Sequence, residues 1–285
     1  MAGFSNIRNF VDTELDGKTR LTSWRKAPTQ VTVANFWFDL SMSPGNPAPQ
    51  YYASAPLVTV QMKQSTDGGL FHGATSSVSK WVKNFMIMST SATGLPMPII
   101  MLDYLLYYPF IDQGVTDPQS MTNSLALPRY TDGAGVKIMA VNVAAGAGGQ
   151  TFTVSYTNSD GVAGRTTPLI TLNIATAIGS ICSGSTSAAI AAWPFLPLQV
   201  GDTGVRSIES LTMNGPDVGL ITLVLVKPIF TSQIIEQTAP VDENFFIEKA
   251  SIPEIKEDAY LNLICMPNGS LSGVVFHGLF QTLFI

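Results

Sequence analysis

Residues 151–161 read TFTVSYTNSDG, and this stretch decides the fold class. Its Phe, Val and Tyr alternate with Thr and Ser, which is the two-residue period of a strand with one buried and one polar side. The Asp160–Gly161 pair then supplies the backbone freedom that a hairpin turn needs. We therefore predict a half-buried antiparallel strand at 151–157, followed by a turn.

Segments of similar length and character recur along the chain. The other predicted strands are 31–40, 57–63, 78–88, 136–143, 205–213, 219–227, 259–266 and 273–284. Some, such as 220–226, are apolar on both faces, which indicates a position between packed layers or at an interface. The 24 glycines and 18 prolines favour many short strands with frequent turns. We predict an all-β fold, specifically a jelly-roll-like β-sandwich of two antiparallel sheets with long loops.

The domain organisation follows from length and composition. A chain of 285 residues is an ordinary size for one large β domain, and neither a repeat nor a change in composition divides it. The first 28 residues mix basic and acidic side chains, which is typical of a solvated extension. We predict an N-terminal arm over residues 1–28 and a single β-sandwich domain over 29–285.

Charge is scarce in this sequence. Charged residues make up 12% of the chain, against about 25% in an average soluble domain. Two explanations stay open: a surface of Ser, Thr, Asn and Gly, or extensive contact between subunits. The net charge is −5 and basic residues are not clustered, so we expect no direct nucleic-acid readout. The small, uncharged stretch 175–192 is predicted as a loop laid over a neighbouring subunit.

Candidate catalytic and ligand-binding residues are few. The two histidines, His72 and His277, each stand in a Phe-His-Gly triplet, and no nucleophile elbow surrounds any serine. His277 lies in an apolar strand, where a core or interface histidine is expected. Cys182 and Cys265 have apolar neighbours and are predicted as small core residues. We therefore predict a protein that is not an enzyme, with no catalytic, cofactor-binding or metal-binding residues.

Membrane contact is not expected either. A helix needs about 18 apolar residues to span a bilayer, and the longest apolar run, 98–110, is interrupted by Asp103 and Pro109. The first residues show no apolar signal segment. We expect synthesis in a cytoplasm.

Five longer motifs carry a resemblance to a known family. They are 103–119 (DYLLYYPFIDQGVTDPQ), 127–137 (LPRYTDGAGVK), 155–165 (SYTNSDGVAGR), 196–210 (LPLQVGDTGVRSIES) and 223–229 (LVLVKPI). Their order resembles a family of tailed-bacteriophage virion structural proteins, over residues 80–285. The resemblance implies a virion component, a decoration or cement protein that binds copies of itself and the major capsid protein. It assigns no catalytic residues.

Aromatic and arginine side chains in these motifs are the predicted interface. The residues are Tyr104, Tyr107, Tyr108, Phe110, Arg129 and Arg206. Tyrosine and phenylalanine give large contact areas, which interfaces favour. Arg129 stands near Asp132 in sequence and Arg206 near Asp202, so local ion pairs that fix turns are the alternative.

Self-association is expected as a homotrimer, because icosahedral shells offer three-fold positions and closed rings cover apolar faces. Two alternatives stay open. One is another virion component, such as a major coat, neck or tail protein. The other is a carbohydrate-binding β-domain, which would need exposed aromatic rings beside a cleft.

Overall fold

The computed structural model describes residues 7–73, 79–175, 177–182, 193–249 and 252–284. It is 6% helical and 43% strand, which confirms the all-β prediction. The helices are α1 (Ile7–Leu15), a 3-10 turn (Leu40–Met42) and α2 (Gln64–Asp67). The strands are β1 (Thr19–Lys26), β2 (Phe38–Asp39), β3 (Gly45–Asn46), β4 (Val60–Gln61), β5 (Lys80–Ser89), β6 (Met97–Asp112), β7 (Gln119–Ser120), β8 (Lys137–Ala144), β9 (Thr151–Asn158), β10 (Arg165–Thr166), β11 (Ile170–Thr171), β12 (Ile181–Cys182), β13 (Val205–Met213), β14 (Leu220–Ile234), β15 (Val241–Asn244), β16 (Glu254–Ile255), β17 (Tyr260–Cys265) and β18 (Phe276–Phe284).

Within these residues the strands form three sheets, each built from antiparallel pairs. The first has the order β15-β5-β18-β1-β3, and β16 also pairs with β5. The second has the order β10-β9-β13-β7, with β11 on β9. The third has the order β12-β8-β14-β6-β17-β2, with β4 on β6. We call them the six-stranded, five-stranded and seven-stranded sheets.

The long pair β6–β14 joins two sandwiches through the seven-stranded sheet. Near Leu105, Tyr108 and Leu223, this pair packs against the five-stranded sheet. Near Met101 and Phe230, it packs against the six-stranded sheet. Register shifts interrupt the pairing, and such bulges bend strands and re-aim their side chains. The predicted β-sandwich is confirmed, but the described residues form three sheets where the sequence predicted two, because one sheet is shared between two partner sheets.

Strand β6 is buried on both faces, because a third cluster covers the other side of the seven-stranded sheet. Trp37, Tyr52 and Phe195 come from loops and pack against Leu102 and Tyr104 of β6. A strand enclosed on both sides reads as a continuous apolar run without alternation. The apolar run 98–110, for which the sequence predicted no strand, therefore forms most of this strand of 16 residues.

The predicted half-buried strand at 151–157 is confirmed as β9, whose side chains alternate between buried and half-buried. Its pairing with β10 forms a hairpin around Gly161, which has φ 80°.

The prediction for 31–40 is wrong in extent, since only Phe38 and Asp39 pair as a strand. Asn35 adopts a left-handed conformation (φ 63°), and a 3-10 turn begins at Leu40, so the chain turns on both sides of β2.

Within residues 7–28 of the predicted arm, α1 contacts β18, and Thr19–Lys26 form strand β1 of the six-stranded sheet. Strand β1 lies between β18 and β3, in register from Thr19 opposite Leu283 to Lys26 opposite Phe276. The indole of Trp24 lies so close to Gly278 that a Cβ at residue 278 would overlap it. Of the predicted loop 175–192, residues 176 and 183–192 lie outside the described residues.

Candidate functional site

A pocket of about 640 Å³ opens beside the end of β4. Its walls come from β4 and the residues after it, the loop before β8, and the turn between β16 and β17. The lining residues are Gln61, Lys63, Pro128, Arg129, Tyr130, Lys256, Glu257 and Asp258. Both signs of charge line the pocket, so its chemistry depends on which of these groups are already engaged.

Arg129 at the base of the pocket is engaged by a buried ion pair. Its Nε donates to Asp103 Oδ2 at 2.9 Å, and its Nη2 donates to Oδ1 at 2.7 Å. Further N–H groups donate to the carbonyl oxygens of Asp258, Met62 and Tyr104. Burial raises the pKa of Asp103 to about 6, although Arg129 opposes the shift. The guanidinium therefore ties three chain segments together and has little capacity left for a ligand.

His72 is buried beside this ion pair. Its Nε2 lies 2.9 Å from the carbonyl oxygen of Ala259, and its Nδ1 lies 3.3 Å from Nζ of Lys80. Burial lowers the pKa of His72 to about 4. A neutral ring that donates from Nε2 and accepts at Nδ1 satisfies both contacts. His72 thus stabilises the junction of β5 and β17, and its ring is shielded from solvent.

A second buried carboxylate, Asp39, lies under the loop that covers β6. The hydroxyl of Tyr104 donates to it at 2.7 Å, as does the hydroxyl of Tyr52 at 2.5 Å. Burial raises the pKa of Asp39. Nearby Lys26 donates to backbone carbonyls of Ser43 and Pro47, and burial lowers its pKa to about 8. These groups hold the loop on the sheet, enclosed in the protein core.

A third polar cluster lies on the five-stranded sheet. Arg165 forms a forked pair with Asp202, with Nε–Oδ2 3.0 Å and Nη2–Oδ1 3.1 Å. The hydroxyl of Tyr156 and the amide of Asn158 also donate to this carboxylate. These hydrogen bonds, led by that from Arg165, lower the pKa of Asp202 to about 2. Both carboxylate oxygens are occupied by donors from the protein.

The aromatic residues that were predicted to form an interface are mostly buried in the protein core. Tyr104 and Tyr108 are fully buried and Tyr107 is nearly so, while Phe110 is half-buried with φ 57°. The Tyr108 hydroxyl donates to Asn123 and accepts from the backbone N–H of Ile208. Their main contacts are therefore intramolecular, because β6 is covered on both sides.

The arginines have partners other than their neighbours in sequence. Arg129 pairs with Asp103 and not with Asp132, as described above. Exposed Arg206 donates to the carbonyl oxygens of Asp132 and Ser159, and so fixes two turns. The partner of Asp202 is Arg165. These partners could not be inferred from neighbouring residues in the sequence, because antiparallel strands bring distant segments of the chain together.

The remaining sequence expectations concern the burial of His277 and the two cysteines, metal ligands, and membrane-spanning segments. His277 is half-buried on the open side of β18, and Cys182 and Cys265 are free and buried. No group of three metal-ligating side chains occurs within the described ranges. In the same residues, no helix has the length and apolar character to cross a membrane.

No family model matches the chain, and no curated protein matches it. One solved structure with partial likeness is the crystal structure of the infectious bursal disease virus VP2 subviral particle. The identity is 9%, with 94% of this chain and 81% of that chain covered and a TM-score of 0.16. A TM-score this low carries no argument about fold or function.

Proposed function

We propose that this protein is a virion structural protein of a tailed bacteriophage, a decoration or cement protein that stabilises the capsid through protein–protein contacts. Its partners would be copies of itself and the major capsid protein. The resemblance of the motifs between 103 and 229 motivates the family, and the composition motivates the mode of action.

One observation carries the proposal: large apolar side chains stand exposed while the polar clusters are turned inward. Val200, Leu15 and Ile247 are 95%, 80% and 78% exposed. Asp103, Asp39 and Asp202 are each engaged by donors from the chain itself. Exposed apolar surface favours protein–protein contact, whereas engaged carboxylates are poor candidates for proton transfer.

The test uses particles that lack this protein. Purified full-length protein is added, unbound protein is removed by sedimentation, and a particle reconstruction locates the added density. We expect saturable binding at symmetry-related sites on the shell and a higher temperature of genome release. Absence of binding, together with an unchanged release temperature, would contradict the proposal.

The same reconstruction separates the other virion components. A major coat protein would make up the shell itself, so no shell would assemble without it. A neck or tail protein would add density at a single vertex. A decoration protein adds density over the whole outer surface, and its removal leaves a closed shell.

A carbohydrate-binding domain is the second candidate, because Trp193 is 56% exposed beside a groove of about 320 Å³. Its ring packs edge-on against Phe195, which orients it. Stacking of a sugar on this indole would quench its fluorescence, and Trp193→Ala would abolish the response. Fluorescence titration with a panel of oligosaccharides tests this candidate. No quenching by any of them would exclude it.

A further inference from the structure

The six-stranded sheet has one buried face, and its opposite face is open except at the end where α1 contacts β18 and outward Leu283 is fully buried. Its inward side chains, such as Phe85, Phe280 and Trp24, belong to the core. Because side chains alternate along a strand, the residues between them point outward. In the open part of β5, β18 and β1 the outward residues are Asn84, Met86, Met88, His277, Leu279, Gln281, Leu21, Ser23 and Arg25. All of these are half-buried or exposed.

An apolar strip crosses this open face. Leu279 pairs with Met86 on one side and with Ser23 on the other. Leu21 pairs with Gln281, so it lies diagonal to Leu279. Diagonal neighbours on one face of a sheet are about 7–8 Å apart, within reach of long side chains. Leu21, Leu279 and Met86 therefore form a strip over three strands.

The two sides of the strip carry opposite charges. Asp242 on β15 is exposed and pairs with Met86, while inward Val241 packs on the core. Arg25 on β1 is exposed and pairs with His277. No ion pair joins Asp242 or Arg25 to another residue in the part of the chain that the structure describes. The face thus has an acidic side and a basic side, with apolar residues between.

We propose that this face binds the same face of a second copy of the chain, a contact that rests on the structural role proposed above. A two-fold axis in the plane of the contact, parallel to the strands and between β5 and β18, places Met86 of one copy over Leu279 of the other, and the reverse. The same rotation places Asp242 over Ser23 of the second copy, two residues along β1 from Arg25, a distance of about 7 Å that the long arginine side chain can cross. Such a contact is self-complementary in shape and charge.

The size of the face sets the strength of the contact. The residues named above extend over five positions of each strand, about 17 Å, and the four strands from β15 to β1 span about 19 Å, giving roughly 320 Å² per copy. Two copies would then bury about 640 Å², less than a stable specific interface buries. The contact is accordingly weak for an isolated pair, and repetition in a shell strengthens it.

Sedimentation equilibrium of the full chain is the first test. We expect reversible association of the wild type in even-numbered species and at least tenfold weaker association for Leu279→Glu. Val218→Glu, an apolar-to-acidic change at a 62% exposed residue of the loop before β14, is the control and should leave association unchanged. Equal unfolding midpoints of the variants exclude a folding defect as the cause.

A charge exchange is the second test. Arg25→Glu and Asp242→Arg should each weaken association, and the double variant should restore it to within about threefold of the wild type. A monomeric wild type, an unaffected Leu279→Glu variant or a double variant weaker than both single ones would overturn this contact. Particle binding is measured separately. If the protein binds particles but the charge exchange does not restore association, only the proposed contact between copies is wrong. If the charge exchange restores association but the protein does not bind particles, the proposed virion role is wrong.

Discussion

The two arginine–aspartate pairs, Arg129–Asp103 and Arg165–Asp202, share a forked geometry but differ in their surroundings. The first is closed off by the core, with both side chains nearly inaccessible, and the second keeps its guanidinium partly in solvent. Burial dominates in the first region and raises the pKa of Asp103 to about 6. Hydrogen bonds dominate in the second and lower the pKa of Asp202 to about 2. Desolvation therefore decides which effect the same pair has on stability.

Removing one partner of the buried pair gives the largest expected effect. Arg129→Met leaves Asp103 without its cation in the core and removes the donors to three carbonyl oxygens. We expect a loss of about 3–5 kcal/mol in the free energy of unfolding, measured by urea denaturation. Arg165→Met is the matched control and should lose much less. Equal losses in the free energy of unfolding for the two methionine variants would contradict the idea that burial makes the Arg129–Asp103 pair the more important one.

A conservative exchange sharpens the comparison. Arg129→Lys keeps the charge but cannot reproduce the fork and the additional carbonyl contacts, so it should remain destabilising by about 2 kcal/mol or more. Arg165→Lys retains a charge beside Asp202, whose other donors, Tyr156 and Asn158, stay in place. It should unfold near the wild-type urea midpoint. Equal urea midpoints for the two lysine variants would contradict the view that only the buried pair depends on the forked geometry.

The two aspartates should give opposite pH dependences. The folded-state pKa of Asp103, about 6, lies above its ordinary value, so its contribution to stability is complete below about pH 4 and is lost as pH rises through 6. The folded-state pKa of Asp202, about 2, lies below its ordinary value, so its contribution is present above about pH 4 and is lost as pH falls towards 2. Unfolding measured from pH 2 to pH 7 checks both slopes.

Asparagine variants assign these slopes to residues. Asp103→Asn should remove the decline between about pH 4 and pH 6, and Asp202→Asn should remove the rise between about pH 2 and pH 4. Each variant should leave the other slope unchanged, since the two pairs share no partner. A variant that alters both slopes would show that the regions are coupled.

Salt gives the smallest expected effect. Screening acts on charges that reach solvent, and the Debye length shortens from about 10 Å at 0.1 M to about 3 Å at 1 M. The stability difference between wild type and Arg165→Met should shrink over this range, while that for Arg129→Met should stay constant. Urea unfolding in sodium chloride measures both differences.

Much of the fold could be predicted from local pattern. Strand β9 has one buried face, so its alternation was visible, and β13 begins and ends where the sequence placed it. Strand β6 was missed because enclosure on both faces removes the alternation. Strand β1 was also missed, since its outward Arg25 and inward, buried Lys26 look alike in a sequence.

The candidate sites could be predicted only in part. The rarity of histidine and the apolar setting of the cysteines were visible, and all but His277 of these four residues are buried. The partners of Arg129, Arg165 and Arg206 could not be predicted, because they lie from 25 to 129 residues away along the chain. The open face of the six-stranded sheet has no sequence signal, since its residues come from four separate strands.

By itself, the sequence determined that this protein is built from antiparallel strands, because turn residues and two-residue periodicity are local properties. The tertiary structure alone decided that Tyr104 and Tyr108 support the core and that Asp242, Met86, Leu279 and Arg25 share a surface. The physical reason is that burial and charge pairing depend on which strands become neighbours. Strand order in a sheet is set by packing between segments far apart in the chain.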